Sequence, residues 1–296
     1  MTIKLQGIIP PSVTPFHADE SLDLPRLKTH IDFLIGKGVH GIFVLGTTGE
    51  FYALDETEKQ TVIATAVEHV AGRVPVFAGT GAETTREVVR LTKMAERLGI
   101  AGVSVITPYF LKPTQDEMID HFRRVAESTS VGVILYNNPS TCAGTNIDPP
   151  TVAKLAQIPN IIGIKDSSGD MQNTLETIRL SPPEFSVLIG RDTLILPGLA
   201  FGVKGSIPAS SNIAPALCVG IYEQFVRGDM AAAKSYQERL TPVRKALSFG
   251  TGNGVVKEAM ALLGRPAGPN RRPVSPLSAE KRDMLAKILA DAGVTE

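Results

Sequence analysis

Residues 160–170 read NIIGIKDSSGD. Ile161, Ile162 and Ile164 form a short apolar run with the length and β-branching of a buried strand. Lys165 follows at once. Two physical readings compete for it. A strand-end lysine can lay its stem on apolar surface while its ammonium reaches water. Alternatively, the amine is held in a dry pocket where it reacts as a nucleophile. The choice depends on what kind of sheet this strand belongs to.

Seven further runs share the same character. They are GII at 7–9, HGIFVLG at 40–46, VPVFAG at 74–79, AGVSVIT at 101–107, VGVILYN at 131–137, FSVLIG at 185–190 and KGSIPA at 204–209. Most are near-continuous apolar runs, as expected of parallel strands covered on their outer side by helices. Helical periodicity fills the intervals. Leu24, Leu27, Ile31 and Leu34 repeat at three- and four-residue steps behind a capping Asp23. Val88, Leu91, Ala95 and Leu98 do the same, and Gly99 stops that helix. Met118, Phe122 and Val125 mark another, and Asp148 before Pro149 and Pro150 is a helix start. Strand and helix alternating eight times predict an α/β fold, a (β/α)8 TIM barrel. An open doubly wound sheet fits less well, because no glycine-rich dinucleotide fingerprint follows the first strand. The barrel is expected to occupy residues 1–228. Helical patterns near 215–227, 229–247 and 254–263, and then the tail PVSPLSAEKRDMLAKILADAG, exceed what a barrel needs. Residues 229–296 are therefore expected to form a small C-terminal helical appendage packed on it.

Composition narrows the function classes. The 296 residues carry 30 basic and 30 acidic side chains. That balance argues against nucleic acid or an anionic membrane as the main partner, and weakly favours association into a homo-oligomer. Cys142 and Cys218 cannot make a disulfide framework. The N-terminal stretch lacks a signal peptide's apolar core, and no run reaches the ~20 apolar residues of a membrane span. The expectation is a soluble, cytoplasmic protein.

In such a barrel the site lies at the C-terminal ends of the strands. The second strand ends in GTTGE (46–50), the fourth in TPYF (107–110), the fifth in Tyr136, the sixth in Lys165 and the seventh in GRD (190–192). The eighth leads to Ser210. An amine, a phenol and several hydroxyls thus converge on one mouth. A neutral lysine amine attacks a ketone to form a Schiff base that serves as an electron sink. A dry site favours the neutral amine by penalising the ammonium. A tyrosine can shuttle the proton, and the amides and hydroxyls of GTTGE can hold a carboxylate. No cofactor is required. Lys165 beside Tyr136, facing GTTGE, favours the reactive reading over the snorkelling one.

Competing chemistries are weaker. His17, His30, His40, His69 and His121 are scattered, only His17 falling near a strand's C-terminal end, so no metal is expected. There is no nucleophile elbow. GTGAETT at 79–85 and GTGNGVVK at 250–257 are not phosphate loops of the G-x-x-x-x-G-K-[ST] form. Glu50 is expected to satisfy backbone donors near its loop, and Asp166, Ser167 and Ser168 to start the next helix.

GIIPPSVTPF, GTTGE, TPYF, ILYNNPS and IIGIKDSSGD, in that order, resemble the dihydrodipicolinate synthase / N-acetylneuraminate lyase family of pyruvate-dependent Schiff-base lyases. The resemblance runs over essentially the whole chain. It implies a homotetrameric barrel with Lys165 as the imine former and Tyr136 as the proton relay. It implies that Thr47 and Thr48, in the loop opened by Gly46, bind the pyruvate carboxylate, with Thr47 linked to Tyr136. Gly190 and Ile207 would line the pyruvate pocket. Arg191, Asp192 and Ser210 would lie where other members meet the second substrate, and Tyr109 and Phe110 where a neighbouring subunit is contacted.

The chain departs from the synthase branch twice. That branch carries an arginine five residues after the strand-five tyrosine, where this chain has Thr141. It carries a second tyrosine where this chain has Phe110, which has no hydroxyl. Arg191 is either a distal carboxylate ligand or a surface residue beside Asp192, and Asp192 suits hydrogen bonds to substrate hydroxyls. These changes favour an aldolase or dehydratase acting on a 2-keto-3-deoxy sugar acid. The alternative is condensation of pyruvate with aspartate semialdehyde by a 4-hydroxy-tetrahydrodipicolinate synthase. An alternative of another class is a keto-acid-binding barrel without turnover.

Overall fold

Eight short strands pair in parallel, each with its sequence neighbours, in the order β1-β8-β7-β6-β5-β4-β3-β2. The computed structural model describes residues 4–294. The strands are β1 (Gly7–Ile8), β2 (Ile42–Val44), β3 (Val76–Gly79), β4 (Gly102–Ile106), β5 (Gly132–Asn137), β6 (Ile161–Asp166), β7 (Ser186–Ile189) and β8 (Gly205–Ser206). Backbone bonds from His40 to Ile8 (2.8 Å), Phe43 to Pro10 (3.0 Å) and Ser12 to Phe43 (2.8 Å) join β2 to the β1 segment. These bonds close the sheet, so the predicted TIM barrel is the observed fold.

Helices cover the outside: α1 (Leu24–Gly36), α2 (Glu56–Val70), α3 (Thr85–Arg97), α4 (Gln115–Glu127), α5 (Pro149–Leu155), α6 (Met171–Leu180), α7 (Ile195–Ala200) and α8 (Pro215–Val226). Asp23 caps α1 by accepting from the Arg26 amide, as its position in the sequence suggested. Asp55 and Thr114 open α2 and α4 with reciprocal capping boxes, each contributing about 1 kcal/mol. Two starts differ from expectation. The helix after β6 begins at Met171 under Asp170, not at residues 166–168, because Asp166 is still the last residue of the strand. α7 was not foreseen, because its sequence ILPGLA holds two helix breakers; its proline falls in the first turn, where a missing amide costs nothing.

The tail forms α9 (Met230–Ala246), α10 (Gly252–Leu262) and α11 (Ala279–Asp291). Their apolar faces join Ile8, Val13, Ile195 and Ile221 in one buried cluster, so the three helices share a core with the barrel wall.

The barrel interior below the mouth is filled by Leu5, Ile9, Phe43, Phe77, Ile134, Leu188 and Ile207. Strand β6 enters this interior out of simple alternation. Val133 pairs with Ile161, but Ile134 pairs with Gly163, which leaves Ile162 as an inserted residue. Ile161 and Ile164 both pack outward with the helices, three residues apart. Period-two alternation forbids that unless a bulge shifts the phase. The bulge turns Lys165, next to outward-facing Ile164, into the barrel. A side chain on Gly163 would collide with the Ser186 carbonyl oxygen and approach Leu5 to 2.8 Å, so glycine is needed where the re-phased strand crosses the packed interior.

Candidate active site

A cavity of about 520 Å³ opens at the C-terminal ends of the strands. Its walls include Thr47, Thr48, Tyr136, Lys165, Gly190, Arg191 and Ile207, seven of the residues singled out in the sequence. Lys165 and Tyr136 are register partners on β6 and β5, and both are buried. The Lys165 Nζ lies 4.2 Å from the centre of the Tyr136 ring and 5.4 Å from that of Phe43. No carboxylate pairs with it among the described residues.

The Tyr136 hydroxyl stands 3.4 Å from the Thr47 Oγ1, and the Asn138 Nδ2 donates to it at 3.1 Å. Burial alone would raise the phenol's pKa. The Lys165 charge and the hydrogen bonds of Thr47, Ser167 and Asn138 outweigh burial and hold the pKa below the usual tyrosine range. A phenol so placed gives up its proton more readily than one in water, as a relay must.

The GTTGE segment is a tight turn, with backbone bonds from Gly49 to Gly46 and from Glu50 to Thr47. Leu45 and Glu50, at its two ends, both sit at left-handed φ, 58° and 55°. Non-glycine residues hold that conformation only where their surroundings impose it. Here the fully buried Glu50 pairs with Lys257 of α10 at 2.7 Å and also accepts the Arg271 amide at 3.1 Å. The expectation that Glu50 serves backbone donors is thus only part of its role. Gly46 lies under the turn, where a Cβ would stand 2.9 Å from the Phe43 ring, rather than in the cavity wall. Gly190 forms part of the wall, and a Cβ there would collide with the Ser167 hydroxyl and stand 3.2 Å from the Lys165 Cε.

Asp192 and Ser210, expected where a second substrate would be met, do not line the cavity. Asp192 is fully buried. Its Oδ2 accepts the Ser210 amide at 2.8 Å, and its Oδ1 lies 3.6 Å from the Arg244 Nε. It therefore holds the loop and lies beside an arginine, behind the wall rather than in it. Ser210 is equally buried behind the wall. Arg191 lines the cavity, anchored by its Nε bond to the Ser167 carbonyl at 2.9 Å, which favours the ligand reading over the surface one. Tyr109 and Phe110 stay out of the cavity. Tyr109 packs edge-on against Phe51, and burial followed by Glu83 pushes its phenol above the usual range. Phe110 is 82% exposed.

Several wall residues escaped the sequence reading. Asn138 lies two positions beyond Tyr136, a spacing that could have flagged it. Arg244, Ser248, Thr251 and Asn253 come from α9, α10 and the turn between them. The stretch GTGNGVVK, which is not a phosphate loop, thus supplies part of the rim and the lysine that holds Glu50. The histidines are dispersed, with His17 beside Asp23 at the surface, and no group of three metal-ligating side chains occurs among the described residues.

The closed barrel, with a lysine and a tyrosine stacked in its mouth, is that of a class I, Schiff-base lyase. The comparisons agree. The family model "Dihydrodipicolinate synthetase family" matches residues 4–292. The chain is 42% identical to a 4-hydroxy-tetrahydrodipicolinate synthase of Methanoculleus marisnigri, over 97% of this chain and 99% of that protein. It is 40% identical to an uncharacterised DapA-like lyase of Halobacterium salinarum, over 99% and 95%. Among solved structures, YagE of Escherichia coli K12, a prophage protein of the dihydrodipicolinic acid synthase family solved with pyruvate, superposes with a TM-score of 0.95. It is 36% identical and covers 99% of this chain and 100% of its own. The dihydrodipicolinate synthase of Aquifex aeolicus gives a TM-score of 0.94 at 35% identity, over 98% and 99%. The chain belongs to the dihydrodipicolinate synthetase family of pyruvate-dependent Schiff-base lyases. The synthase name carried by these relatives favours the condensation alternative over the sugar-acid reading. No helix among the described residues is long and apolar enough to cross a membrane.

Proposed function

We propose that the protein binds a 2-keto acid covalently at Lys165 and uses Tyr136 to move protons during cleavage, dehydration or condensation. The observation that carries this is the Lys165 amine lying 4.2 Å from the Tyr136 ring centre in a cavity whose walls hold no acidic side chain. The neutral Nζ adds to the keto carbon, and the resulting carbinolamine loses water to give an iminium. The iminium carbon then accepts the electron pair of a breaking bond. In aldol cleavage, Tyr136 removes the proton of the C4 hydroxyl and the C3–C4 bond breaks, giving an aldehyde and an enamine. A proton returns to the enamine carbon, and water releases pyruvate. Condensation is the reverse: the pyruvate enamine adds to an aldehyde carbon and the alkoxide takes the proton from Tyr136. Thr47 and Thr48 hold the carboxylate next to the keto group, and Thr47 orients the phenol.

The second substrate is the finer question. Arg191 and Arg244 place positive charge toward the far end of the cavity, and Ser140, Thr141, Ser248 and Thr251 line it with hydroxyls. A 2-keto-3-deoxy sugar acid, with a chain of hydroxyls beyond the keto acid, matches this lining, and its cleavage or dehydration is the second reading. The relatives' name supports the leading one: pyruvate condensing with aspartate semialdehyde, whose distal carboxylate would meet an arginine of α9 or the β7 loop instead of one at position 141. Trapping with pyruvate and borohydride tests the shared step, since the adduct must map to Lys165. If Lys165→Ala retains turnover, the lyase reading falls and a keto-acid-binding barrel replaces it. A panel of 2-keto-3-deoxy acids, assayed for pyruvate release and water loss beside pyruvate plus aspartate semialdehyde, separates the two readings.

A further inference from the structure

A second cavity, of about 530 Å³, lies on the flank of the barrel between α1 and the segment after α10. It is as large as the catalytic one and within the size range of ligand sites. Its polar wall is built around Arg265, His30 and the ion pair of Asp23 with Arg26 (3.1 Å), which leaves Arg265 as the cation without a carboxylate partner. Arg265 donates to the carbonyls of Asn212 (3.0 Å) and Ile213 (2.8 Å), and its guanidinium stacks 3.9 Å from the Phe33 ring centre. No carboxylate pairs with Arg265 among the described residues, its Nε is buried without a partner, and burial lowers its pKa to about 10. A half-buried guanidinium without a counter-ion favours an anionic ligand.

His30 is buried and lines the same cavity. The bonds around Asn212 fix its tautomer. The Asn212 Nδ2 faces two carbonyls, those of Pro11 (3.0 Å) and Ala209 (3.1 Å), so it is the donor end of the amide. The Oδ1 accepts the Val13 amide at 3.1 Å and therefore accepts from the His30 Nε2 at 2.9 Å. Burial holds the ring's pKa down to about 4, so His30 is neutral and its Nδ1 is an acceptor. Beside the guanidinium there is thus a site for a hydroxyl proton. Phe33, Met260, Pro25 and Pro266 supply an apolar floor.

We propose that this flank cavity binds a small 2-hydroxycarboxylate with an aliphatic body, its carboxylate on Arg265 and its hydroxyl donating to His30. The bonds of Asn212 reach Pro11 and Ala209, which line the catalytic cavity. Occupancy is therefore coupled to the imine site through one side chain. Binding itself does not depend on the lyase reading; the coupling and the blocking of Lys165 do, and if blocking fails the Thr29→Phe variant alone separates this cavity from the catalytic one.

The test uses the full chain with Lys165 blocked by pyruvate and borohydride, so that the catalytic cavity is filled. 2-Hydroxy-4-methylpentanoate is titrated calorimetrically, with 4-methylpentanoate and leucine as comparators. The hydroxy acid is expected to bind about fivefold tighter than the acid lacking the donor. Leucine is expected to bind more weakly still, because the one carboxylate in the wall, Asp23, is already paired with Arg26 at 3.1 Å and leaves its ammonium facing Arg265. Arg265→Lys keeps the charge but loses the fork and should weaken binding at least tenfold. Thr29→Phe, on the exposed face of α1 at the cavity rim, fills the space without touching the Asn212 bonds and should abolish binding while the protein stays folded. No heat at about 10 mM ligand, equal binding of the three acids, or unchanged binding to Thr29→Phe overturns the proposal. In unblocked enzyme, the ligand should shift the KM for pyruvate in wild type and leave it unmoved in Thr29→Phe. Binding without that shift overturns the coupling alone.

Discussion

Lys257→Met is expected to be among the most destabilising single changes in the chain. Lys257 and Glu50 are 2% and 0% exposed at their side chains and 2.7 Å apart, with the Lys257 Nζ also donating to the Pro269 carbonyl at 2.9 Å. Burial pulls the Lys257 pKa below the usual lysine range, and the attraction of Glu50 only partly restores it. Removing one member of a buried pair leaves the other charge without water or a counter-ion, which costs about 3–5 kcal/mol. Domains of ordinary size have about 5–15 kcal/mol to lose. The paired replacement Glu50→Gln with Lys257→Met removes both charges and keeps an acceptor for the Arg271 amide, so it should recover most of the loss. Urea unfolding followed by circular dichroism measures all three proteins. The single change should lower the midpoint strongly, and the double should return most of it. The GTTGE turn adds a second readout, if Thr47 and Thr48 hold the pyruvate carboxylate as proposed. Glu50 sits at left-handed φ two residues after Thr48, so the KM for pyruvate should rise in Glu50→Gln even where the protein is folded. That variant also carries a pH signature. Without Glu50, the folded-state pKa of Lys257 falls further below its unfolded value near 10.5. The unfolded chain then binds more protons between those two values, so the stability of Glu50→Gln should climb with pH through that window, more steeply than wild type. A Lys257→Met protein within about 1 kcal/mol of wild type, or a double variant no better than the single, would refute the argument.

Tyr136→Phe keeps the ring over Lys165 and deletes the hydroxyl. It should lower kcat about 10²–10⁴-fold while borohydride still traps pyruvate on Lys165, and a change under twofold removes the relay. Gly190→Ala drives a methyl into the Ser167 hydroxyl and against the Lys165 Cε. It should cost about 1–3 kcal/mol in stability and slow imine formation in a stopped-flow trapping assay. His30 and His121 are both held near a pKa of about 4 by burial, against 6.5 when unfolded. Between those values the unfolded chain binds more protons. Their contribution of about 3 kcal/mol each is complete above pH 6.5 and lost as pH falls to 4, and His30→Gln with His121→Gln should flatten that part of the stability–pH curve. Phe110 and Leu111 are 82% and 73% exposed. If the expected tetramer forms through them, Phe110→Asp should lower the mass seen by light scattering after gel filtration.

Lys165 shows why the fold was more legible than the site. The run IIGIK reads correctly as a buried strand, since both faces of a parallel barrel strand are apolar. What it does not reveal is which way the lysine points. Strict alternation from the outward Ile161 would leave Ile164 inside and Lys165 outside. Only the inserted Ile162, visible in the pairing of β5 with β6, reverses this. The strand-end rule nevertheless located Lys165, Tyr136, Thr47, Thr48, Gly190 and Arg191 in the cavity wall, because all of them ride on the barrel itself. Asp192 failed by the same rule. Its place at a strand end is right, but the loop folds it under the wall, beside Arg244. That arginine, with Ser248 and Thr251, reaches the cavity only because α9 and α10 pack over the mouth. Nothing in their own periodicity says where on the barrel they dock. The tail therefore reaches the cavity through Arg244 and anchors the GTTGE turn through the pairing of Lys257 with Glu50. Substitutions in the tail are thus expected to change the cavity's far end while the strands that carry Lys165 and Tyr136 stay as they are.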